Sequence, residues 1–405
     1  MHTGRPNSGH VRVALDATPL LGARTGVGRF CEGALRSLGA ASRDVVDVSA
    51  FAVTWRRRHL LPPLVPRGVA VHQGAMPARP LHLAWGLVDW PPAEWFVGSV
   101  DVVHGTNFVV PPTRRAARVV TVHDLTALRL PELCDRSSLG FPALVRRAVR
   151  QGAWVHTPSH FVAREVVGEF GAHPSKVRVV YHGVTDVPGV PGTPDAAHGP
   201  DEPDVPDVPT VTEAAAASSE LPVGTSRYIV AVGTIEPRKD YPGLVRAFSA
   251  VAGAHPDVAL IVIGQDGWGA SAYHDAVATS PFRERIRRLG FVTDDALAQW
   301  IGHAALLAFP SLYEGFGFPP LEAMVRGVPV VATRAGAVPE IVVDGALLVE
   351  PGQPDELAGA LERVLSDDAL RGDLVSKGRC RAARFTWEAC GAGLTELYLE
   401  AAGER

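Results

Sequence analysis

The first half of the chain alternates short apolar runs with helical patterns. The run VRVALDA, residues 11–17, predicts a strand, and the stretch after it spaces Phe30, Ala34, Leu35 and Leu38 along one helical face. Four further runs, VDVVHGT, RVVTVHDL, AWVHTPS and VRVVYHGV, predict buried strands that each end in polar or glycine residues. Together they indicate a parallel sheet wrapped by helices.

The second half repeats this rhythm. Strands are predicted for YIVAVGT, VALIVIG, RIRRLGFV, ALLAFPS, VPVVATRAG and ALLVEP, and helices for YPGLVRAFSAVAGAH and DELAGALERVLSD. We therefore predict a second doubly wound α/β domain. Because ligands in such open sheets bind beyond the carboxyl ends of the strands, we expect the functional residues there.

A segment of different composition separates the two halves. Residues 186–224 have recurrent Pro and Asp but no Lys, Arg, Ile, Met or aromatic residue, so they offer too little apolar surface to offset the entropy of ordering. We predict a disordered loop or linker, and the proline spacing favours a solvated loop over a metal site built from its carboxylates.

The chain ends in a predicted helix. Trp387, Cys390, Leu394 and Leu397 share roughly one face, and from its pattern alone this helix could pack anywhere. The predicted organisation is an N-terminal domain, the linker, a C-terminal domain and the final helix, at residues 1–185, 186–224, 225–384 and 385–405.

Length and charge narrow the class of protein. A chain of 405 residues exceeds the ~250–300 residues that one core supports, and its net charge of -4 gives no electrostatic reason to expect nucleic acid. The start lacks the apolar segment of a secretory signal, and no apolar run approaches the ~18 residues of a membrane span, so we expect a cytoplasmic protein. The cysteines lack Cys-x-x-Cys spacing and are expected to be small buried hydrophobes, not disulfides or zinc ligands: Cys31, Cys134, Cys380 and Cys390.

The stretch VGTIEPRKDYPGLVRAF predicts an anion site. Arg238 and Lys239 follow a strand and precede a helix, whose terminal N–H groups and dipole also favour negative charge. A diphosphate fits this arrangement. The alternative is a solvated surface turn.

Two carboxylates flank the turn in FPSLYEGFGFPPLEAMVRG. Glu314 is expected in the loop and Glu322 in the first turn of the following helix, with Gly315 and Gly317 letting the backbone approach a ligand. Both acids can accept hydrogen bonds from the hydroxyls of a sugar or ribose. Alternatively, Glu322 complements the helix dipole and Glu314 faces water.

Three weaker candidates lie in the first half. Gly26 and Gly28 form a glycine-rich turn just before a helix, suited to phosphate or sugar approach. His123 ends a strand, next to Asp124, and could bond a substrate or shuttle a proton, although for this residue by itself a structural histidine is the favoured explanation. The stretch TWRRRHLLPP, residues 54–63, could meet an anionic acceptor or a membrane surface, or be a solvated loop.

Taken together, these motifs resemble the family-four retaining glycosyltransferases of the GT-B fold, in particular their bacterial mannosyltransferase-like branch. The resemblance spans nearly the whole chain outside the linker and is most specific in VGTIEPRKDYPGLVRAF and FPSLYEGFGFPPLEAMVRGVPVVATRAGAVPEIV. It implies two Rossmann-like doubly wound domains facing across a cleft, an acceptor on the first, a nucleotide-sugar on the second, and a C-terminal helix that returns to the first.

The resemblance also implies roles for the second-domain candidates. Arg238 and Lys239 would neutralise the donor diphosphate, Glu314 would contact the transferred hexose, and Glu322 would take the ribose hydroxyls. The segment Gly315, Phe316 and Gly317 would pack along the sugar and phosphate.

In the first domain, His123 would lie beside the reacting sugar, and Gly26 and Gly28 near the diphosphate. The family retains anomeric configuration by same-face attack, in which the leaving phosphate accepts the acceptor's proton, and it usually needs no metal. By resemblance, GDP-mannose is the favoured donor, and a glycan or polyprenyl-diphosphate-linked sugar is the acceptor, with peripheral contact to the inner face of the membrane.

Two features depart from the family, and two other functions stay open. His182 stands where the family commonly has Asn, and the linker is longer than usual. A nucleotide-sugar epimerase of the same fold would need acid/base residues around the sugar and no acceptor. A non-enzymatic sugar-nucleotide-binding protein would keep the Glu322 contact but gain nothing in turnover from Arg238 and Lys239.

Overall fold

The computed structural model describes residues 10–22, 25–41, 45–136, 138–184 and 221–404. The described chain divides into two compact units. The first comprises the described residues up to Gly183 together with those from Phe385 onward, and the second runs from Val184 to Arg384. All but the last four residues of the predicted linker lie outside the described part of the chain.

The first unit contains a seven-stranded parallel sheet. Its strand order, β3-β2-β1-β4-β5-β6-β7, reverses direction between β1 and β4, as in doubly wound folds. The strands are β1 (Val11–Asp16), β2 (Val46–Phe51), β3 (Ala70–His72), β4 (Val102–Gly105), β5 (Ala117–Thr121), β6 (Trp154–Thr157) and β7 (Val177–Val179).

Helices cover this sheet. The predicted apolar face of the first helix is confirmed, since Phe30, Ala34, Leu35 and Leu38 are fully buried. The α-helices of this part are α1 (Gly26–Ala41), α2 (Ala78–Leu87), α3 (Glu94–Val97), α4 (Thr126–Arg129), α5 (Phe141–Arg150) and α6 (His160–Phe170).

The second unit contains a six-stranded parallel sheet in the order β10-β9-β8-β11-β12-β13. Its strands are β8 (Arg227–Val232), β9 (Val258–Ile263), β10 (Ile286–Gly290), β11 (Leu306–Phe309), β12 (Val330–Thr333) and β13 (Ala346–Val349). Its helices are α7 (Tyr241–Val251), α8 (Ser271–Thr279), α9 (Asp294–Gly302), α10 (Phe318–Val325), α11 (Val338–Val342), α12 (Pro354–Ser366) and α13 (Asp368–Ala382). All six strands predicted for this half are confirmed.

The C-terminal helix, α14 (Trp387–Gly403), packs on α1 and against β1 and β5 of the first unit. Two glycines make room for its first residue: a Cβ on Gly33 would lie 2.4 Å from the Trp387 ring, and one on Gly183 would lie 2.5 Å from the Trp387 nitrogen. Cys390 and Leu394 are buried against the unit, so the apolar face predicted for this helix is its packing face.

Other expectations met different outcomes. The strands β2 and β3 were not predicted, because β2 carries Asp47 and Ser49 within a short run and β3 spans only three residues. The four cysteines form no disulfide. Cys31 and Cys390 are buried and Cys134 is half-buried, but Cys380 is exposed on α13, so the expectation of burial is wrong there. In the described residues, no helix is both long and apolar enough to cross a membrane.

Candidate functional site

The charged residues of the second unit meet at one edge of its sheet. β8 and β11 are parallel neighbours, so the segments that follow them emerge at the same side. After β8 the chain forms a 3-10 turn, Pro237–Lys239, and Asp240 caps α7 by accepting a hydrogen bond from Gly243 N at 3.0 Å. After β11, residues 310–317 lead into α10.

Glu314 lies between the two cations. Its Oε1 is 2.5 Å from Lys239 Nζ, and its Oε2 is 2.8 Å from Arg238 Nη1. Glu314 as a whole is 7% exposed. Burial raises the pKa of Glu314, but the charges of Arg238 and Lys239 and the hydrogen bond from Lys239 outweigh this effect and hold the pKa at about 2. Glu314 is therefore ionised at neutral pH. Because its side chain is buried, the alternative that it faces water is wrong.

Arg238 joins the two loops. Its Nη1 donates to the Tyr313 carbonyl at 2.9 Å, and its Nη2 lies 2.7 Å from Glu236 Oε1. Its own carbonyl accepts from Leu312 N at 2.8 Å. The guanidinium is thus shared between two carboxylates and a backbone oxygen, whereas Lys239 makes one ion pair and stacks over the Phe309 ring at 4.9 Å.

The turn after β12 supports Glu314 from the other side. Ala337 N donates to the Glu314 carbonyl at 2.8 Å. Gly336 has φ +59°, and a Cβ there would lie 2.2 Å from the same carbonyl oxygen. A residue with a side chain would therefore displace the Glu314 backbone.

The glycine turn, residues 315–317, follows Glu314 directly and leads into α10, which carries Glu322. Gly317 has φ +117° and occupies the N-cap position of α10, so its conformation requires glycine. Gly315 and Phe316 are buried, and the Phe316 ring contacts Phe318 edge-on at 5.2 Å.

Glu322 is 8% exposed and is the fifth residue of α10, which begins at Phe318. The predicted first-turn position is therefore wrong, and the helix-dipole explanation for this acid loses weight since that effect fades beyond the first turn.

The candidates of the first unit are placed as follows. Gly26 and Gly28 are the first and third residues of α1 rather than a turn before it. Their N–H groups therefore belong to the helix terminus, where they have no partner within the helix. His123 follows β5, and its Nε2 donates to the Thr106 carbonyl at 2.7 Å. Burial lowers the pKa of His123, so its ring is neutral at pH 7 and its Nδ1 is an acceptor.

Sequence reasoning missed a histidine cluster around Phe30. His104 and His156 are fully buried, and the His182 ring lies 4.4 Å from the Phe30 ring, centroid to centroid. His123 contacts the same ring at 5.6 Å. The signal was present, because VVHGT, TVHDL, WVHTP and VYHGV each carry a histidine near the end of a run, and β4 to β7 are neighbours in the sheet.

A hydrogen-bond chain fixes which ring nitrogens of His104 and His156 carry hydrogen. Burial lowers the pKa of both rings, which are therefore neutral. His156 Nε2 donates to the Val180 carbonyl at 3.0 Å, so its Nδ1 accepts from Thr121 Oγ1 at 2.9 Å. Thr121 Oγ1 accepts from His104 Nε2 at 2.7 Å, and His104 Nδ1 accepts from the Tyr398 hydroxyl at 2.7 Å. This chain ties α14 to three strands.

Asp16 was also missed, although it ends the first buried strand. It lies beside the point where the strand order of the sheet reverses, and burial raises its pKa to about 6 despite hydrogen bonds from Thr18. The described residues include no group of three or more His, Cys, Asp or Glu placed to hold a metal ion.

The second-unit arrangement suits a ligand with both negative charge and hydroxyl groups. Lys239 can offer N–H donors to an anion, and Gly317 and Phe318 carry backbone N–H groups at the amino terminus of α10, where Pro319 and Pro320 have none. Glu314 and Glu322 can accept hydrogen bonds from hydroxyls. A phosphorylated sugar combines both properties.

Two family models match the chain. Residues 25–186 match "Glycosyltransferase Family 4", and residues 214–381 match "Glycosyl transferases group 1". Together the two matches cover most of both units.

Relatives and solved structures agree with these matches. The O-antigen chain mannosyltransferase B of Escherichia coli is 27% identical over 79% of this chain and 77% of its own length. The MMP alpha-(1->4)-mannosyltransferase of Mycolicibacterium hassiacum is 30% identical over 75% of this chain and 71% of its own length. Sucrose-phosphate synthase from Thermosynechococcus elongatus has a TM-score of 0.72 at 18% identity, covering 98% of this chain and 100% of that one, which shows the shared fold.

Proposed function

This chain belongs to the family-four glycosyltransferases of the GT-B fold, and we propose that it transfers a hexose from a nucleotide-sugar to a glycan or lipid-linked acceptor during polysaccharide or glycoconjugate synthesis. The observation that carries the proposal is the meeting of Arg238, Lys239 and Glu314 after two neighbouring strands.

The donor's diphosphate binds beside Lys239 in this proposal. The four charges of Glu236, Arg238, Lys239 and Glu314 sum to zero, so the two carboxylates paired with these cations leave no net negative charge beside Lys239. When the glycosyl–phosphate bond breaks, negative charge grows on the leaving diphosphate. Preplaced N–H donors stabilise that charge more than they stabilise the ground state.

The two carboxylates hold different parts of the donor. Glu314 accepts hydrogen bonds from the hexose, and its low pKa keeps it ionised for this purpose. Glu322, one turn into α10, takes the ribose hydroxyls, and the backbone of residues 315–317 lies along the sugar and phosphate. Glu314 does not act as a nucleophile, because a carboxylate paired with two cations is a weak one.

We propose retention of anomeric configuration, with same-face attack and proton transfer from the acceptor to the leaving phosphate. His123 holds a hydroxyl of the reacting sugar through Nδ1, because its Nε2–H is used by the Thr106 carbonyl. Gly26 and Gly28 present N–H groups of the α1 terminus to the diphosphate.

Mannose, carried by GDP, is the proposed donor, since the two relatives above are named as mannosyltransferases. The proposed acceptor is a glycan or a polyprenyl-diphosphate-linked sugar met at the inner face of the membrane. No metal is needed, because protein cations and helix N–H groups serve the diphosphate.

A donor screen followed by product analysis tests the proposal. Thermal shifts with GDP-, UDP- and ADP-sugars identify the donor, and proton NMR of the product gives the anomeric configuration. We expect transfer that requires Lys239 and persists in EDTA. The exposed Lys377, which pairs with Asp373 in the same unit, supplies the control variant Lys377→Ala.

Three outcomes would contradict it. Epimer formed from the nucleotide-sugar without acceptor would identify an epimerase. Donor binding without turnover in the presence of a range of glycan acceptors would identify a binding protein. Inversion at the anomeric carbon would overturn the retaining mechanism alone.

A further inference from the structure

The first unit exposes a set of large apolar side chains on and after α2, here called the apolar ledge. Its members are between 54% and 67% exposed and are Leu83, Leu87, Val88, Trp90 and Trp95. Scattered single apolar residues are ordinary on a protein surface, but five within thirteen positions form a patch that calls for a partner.

Local structure brings the ledge together. Leu83 and Leu87 are one helical turn apart, while Leu81 and Trp85 face the core. The Trp85 indole donates to the Pro91 carbonyl at 2.9 Å, which holds the following turn against α2. The rings of Trp90 and Trp95 then meet edge-on, with centroids 5.2 Å apart.

Positive charge surrounds the ledge. Arg79 lies one turn before Leu83 on the same face of α2 and is exposed. The exposed Arg114 lies over the Trp95 ring at 5.9 Å, next to the exposed Arg115.

A groove of about 560 Å³ lies beside α2, and three arginines line it. It is lined by Gly86 of α2 and by residues of α5 and its end, namely Ala143, Leu144, Arg146, Arg147, Arg150 and Gln151.

The acids of this region are engaged by the protein. Asp89 pairs with Arg147 at 2.8 Å. Glu94 Oε1 accepts from the backbone N–H groups of Arg114 and Arg115 at 2.8 and 2.9 Å. The outward-facing charge of the ledge is therefore positive.

We propose that the apolar ledge docks on an anionic phospholipid bilayer. The leucines and Val88 enter the acyl boundary, and the two tryptophans lie at the headgroup level. The exposed arginines of this face contact lipid phosphates, namely Arg79, Arg114, Arg115 and Arg150. Charge complementarity favours this occupant over a second copy of the chain, because two such faces would bring like charges together. This surface differs from residues 54–63, the stretch that suggested membrane contact from the sequence.

The value of this docking for catalysis rests on the proposed lipid-linked acceptor, but vesicle binding itself requires neither donor nor acceptor. The two proposals can therefore fail separately. Failure of the wild-type chain to bind vesicles, with transfer to a soluble acceptor retained, refutes only the docking surface.

Co-sedimentation with vesicles tests the proposal. The full chain is mixed with vesicles of phosphatidylcholine alone or of an equal mixture with phosphatidylglycerol. We expect binding to the mixed vesicles that weakens as NaCl is raised. The double variant Leu83→Gln/Leu87→Gln should weaken it by at least about tenfold, since it removes two apolar side chains from the bilayer.

Phe291 of the second unit, 54% exposed, supplies the control variant Phe291→Gln, which should bind as the wild type does. Transfer to a soluble acceptor should be unchanged in all three proteins, which shows that each is folded. Equal binding of the double variant, equal binding to pure phosphatidylcholine, or self-association that the double variant abolishes would each overturn the proposal.

Discussion

Lys239 Nζ and Glu314 Oε1 lie 2.5 Å apart although 75 positions separate them in sequence. Their contact joins the loop after β8 to the loop after β11. We expect Lys239→Ala and Glu314→Ala each to lower turnover by ~10²–10³ with the fold retained, because each removes a group that contacts the donor in the proposed function. Steady-state kinetics and circular dichroism measure both. Wild-type turnover in both variants would refute the site assignment, and Lys377→Ala should behave as the wild type.

Arg238 makes contacts that a positive charge alone does not provide. Arg238→Lys keeps the positive charge but loses the fork shared by Glu236, Glu314 and the Tyr313 carbonyl. We expect kcat to fall by at least about tenfold, as when an oriented group is lost. A lysine variant with wild-type kcat would show that Arg238 supplies only charge.

Gly336→Ala should destabilise the second unit. The residue has φ +59°, and the new Cβ would meet the Glu314 carbonyl at 2.2 Å, so the loop must shift. We expect a loss of more than about 1 kcal/mol in the free energy of unfolding, together with reduced turnover.

Gly359→Ala is the matched control, because Gly359 lies within α12 with no heavy atom within 4 Å of an added Cβ. That variant should be neutral or stabilising by up to about 1 kcal/mol, since alanine favours helices. Equal thermal midpoints for the two variants would contradict the proposed clash at Gly336.

Tyr398→Phe should weaken the attachment of the C-terminal helix. It leaves His104 Nδ1 buried without its donor, at a cost of about 1–3 kcal/mol in the free energy of unfolding. A double-mutant cycle with Thr121→Val, measured by calorimetry, should show coupling because both residues bond the same ring. Additive effects would argue against a connected chain.

The buried histidines should make the first unit sensitive to acid. The folded pKa of His156 is about 3, below its ordinary 6.5, so between these values the unfolded chain binds more protons than the folded one. Stability therefore rises with pH through this window and is lost on acidification. We expect His156→Gln to lose less stability than the wild type between pH 7 and 5, by up to ~1.4 kcal/mol per pH unit, in thermal denaturation series. Parallel pH curves for the two proteins would contradict this.

Periodicity located most of the sheet, because strands buried on both faces are continuous apolar runs and need no tertiary information to be recognised. The strands β2 and β3 escaped it. In β2, Asp47 and Ser49 interrupt the apolar run, and β3 is a three-residue strand at the edge of the sheet, identified by its pairing with β2 more than by its composition.

The sequence by itself determined which chemistry is available: two cations after one strand, two acids around a glycine turn, and a histidine near the end of each of four strand runs. Only the tertiary structure decided how these groups are used. It placed Glu314 between Arg238 and Lys239, because β8 and β11 are sheet neighbours although far apart in sequence. It also gave the two acids different surroundings, since Glu314 has a cation on each oxygen while Glu322 lies within α10. The ionisation of Glu314 follows from its distances to Arg238 and Lys239, which no local sequence pattern encodes.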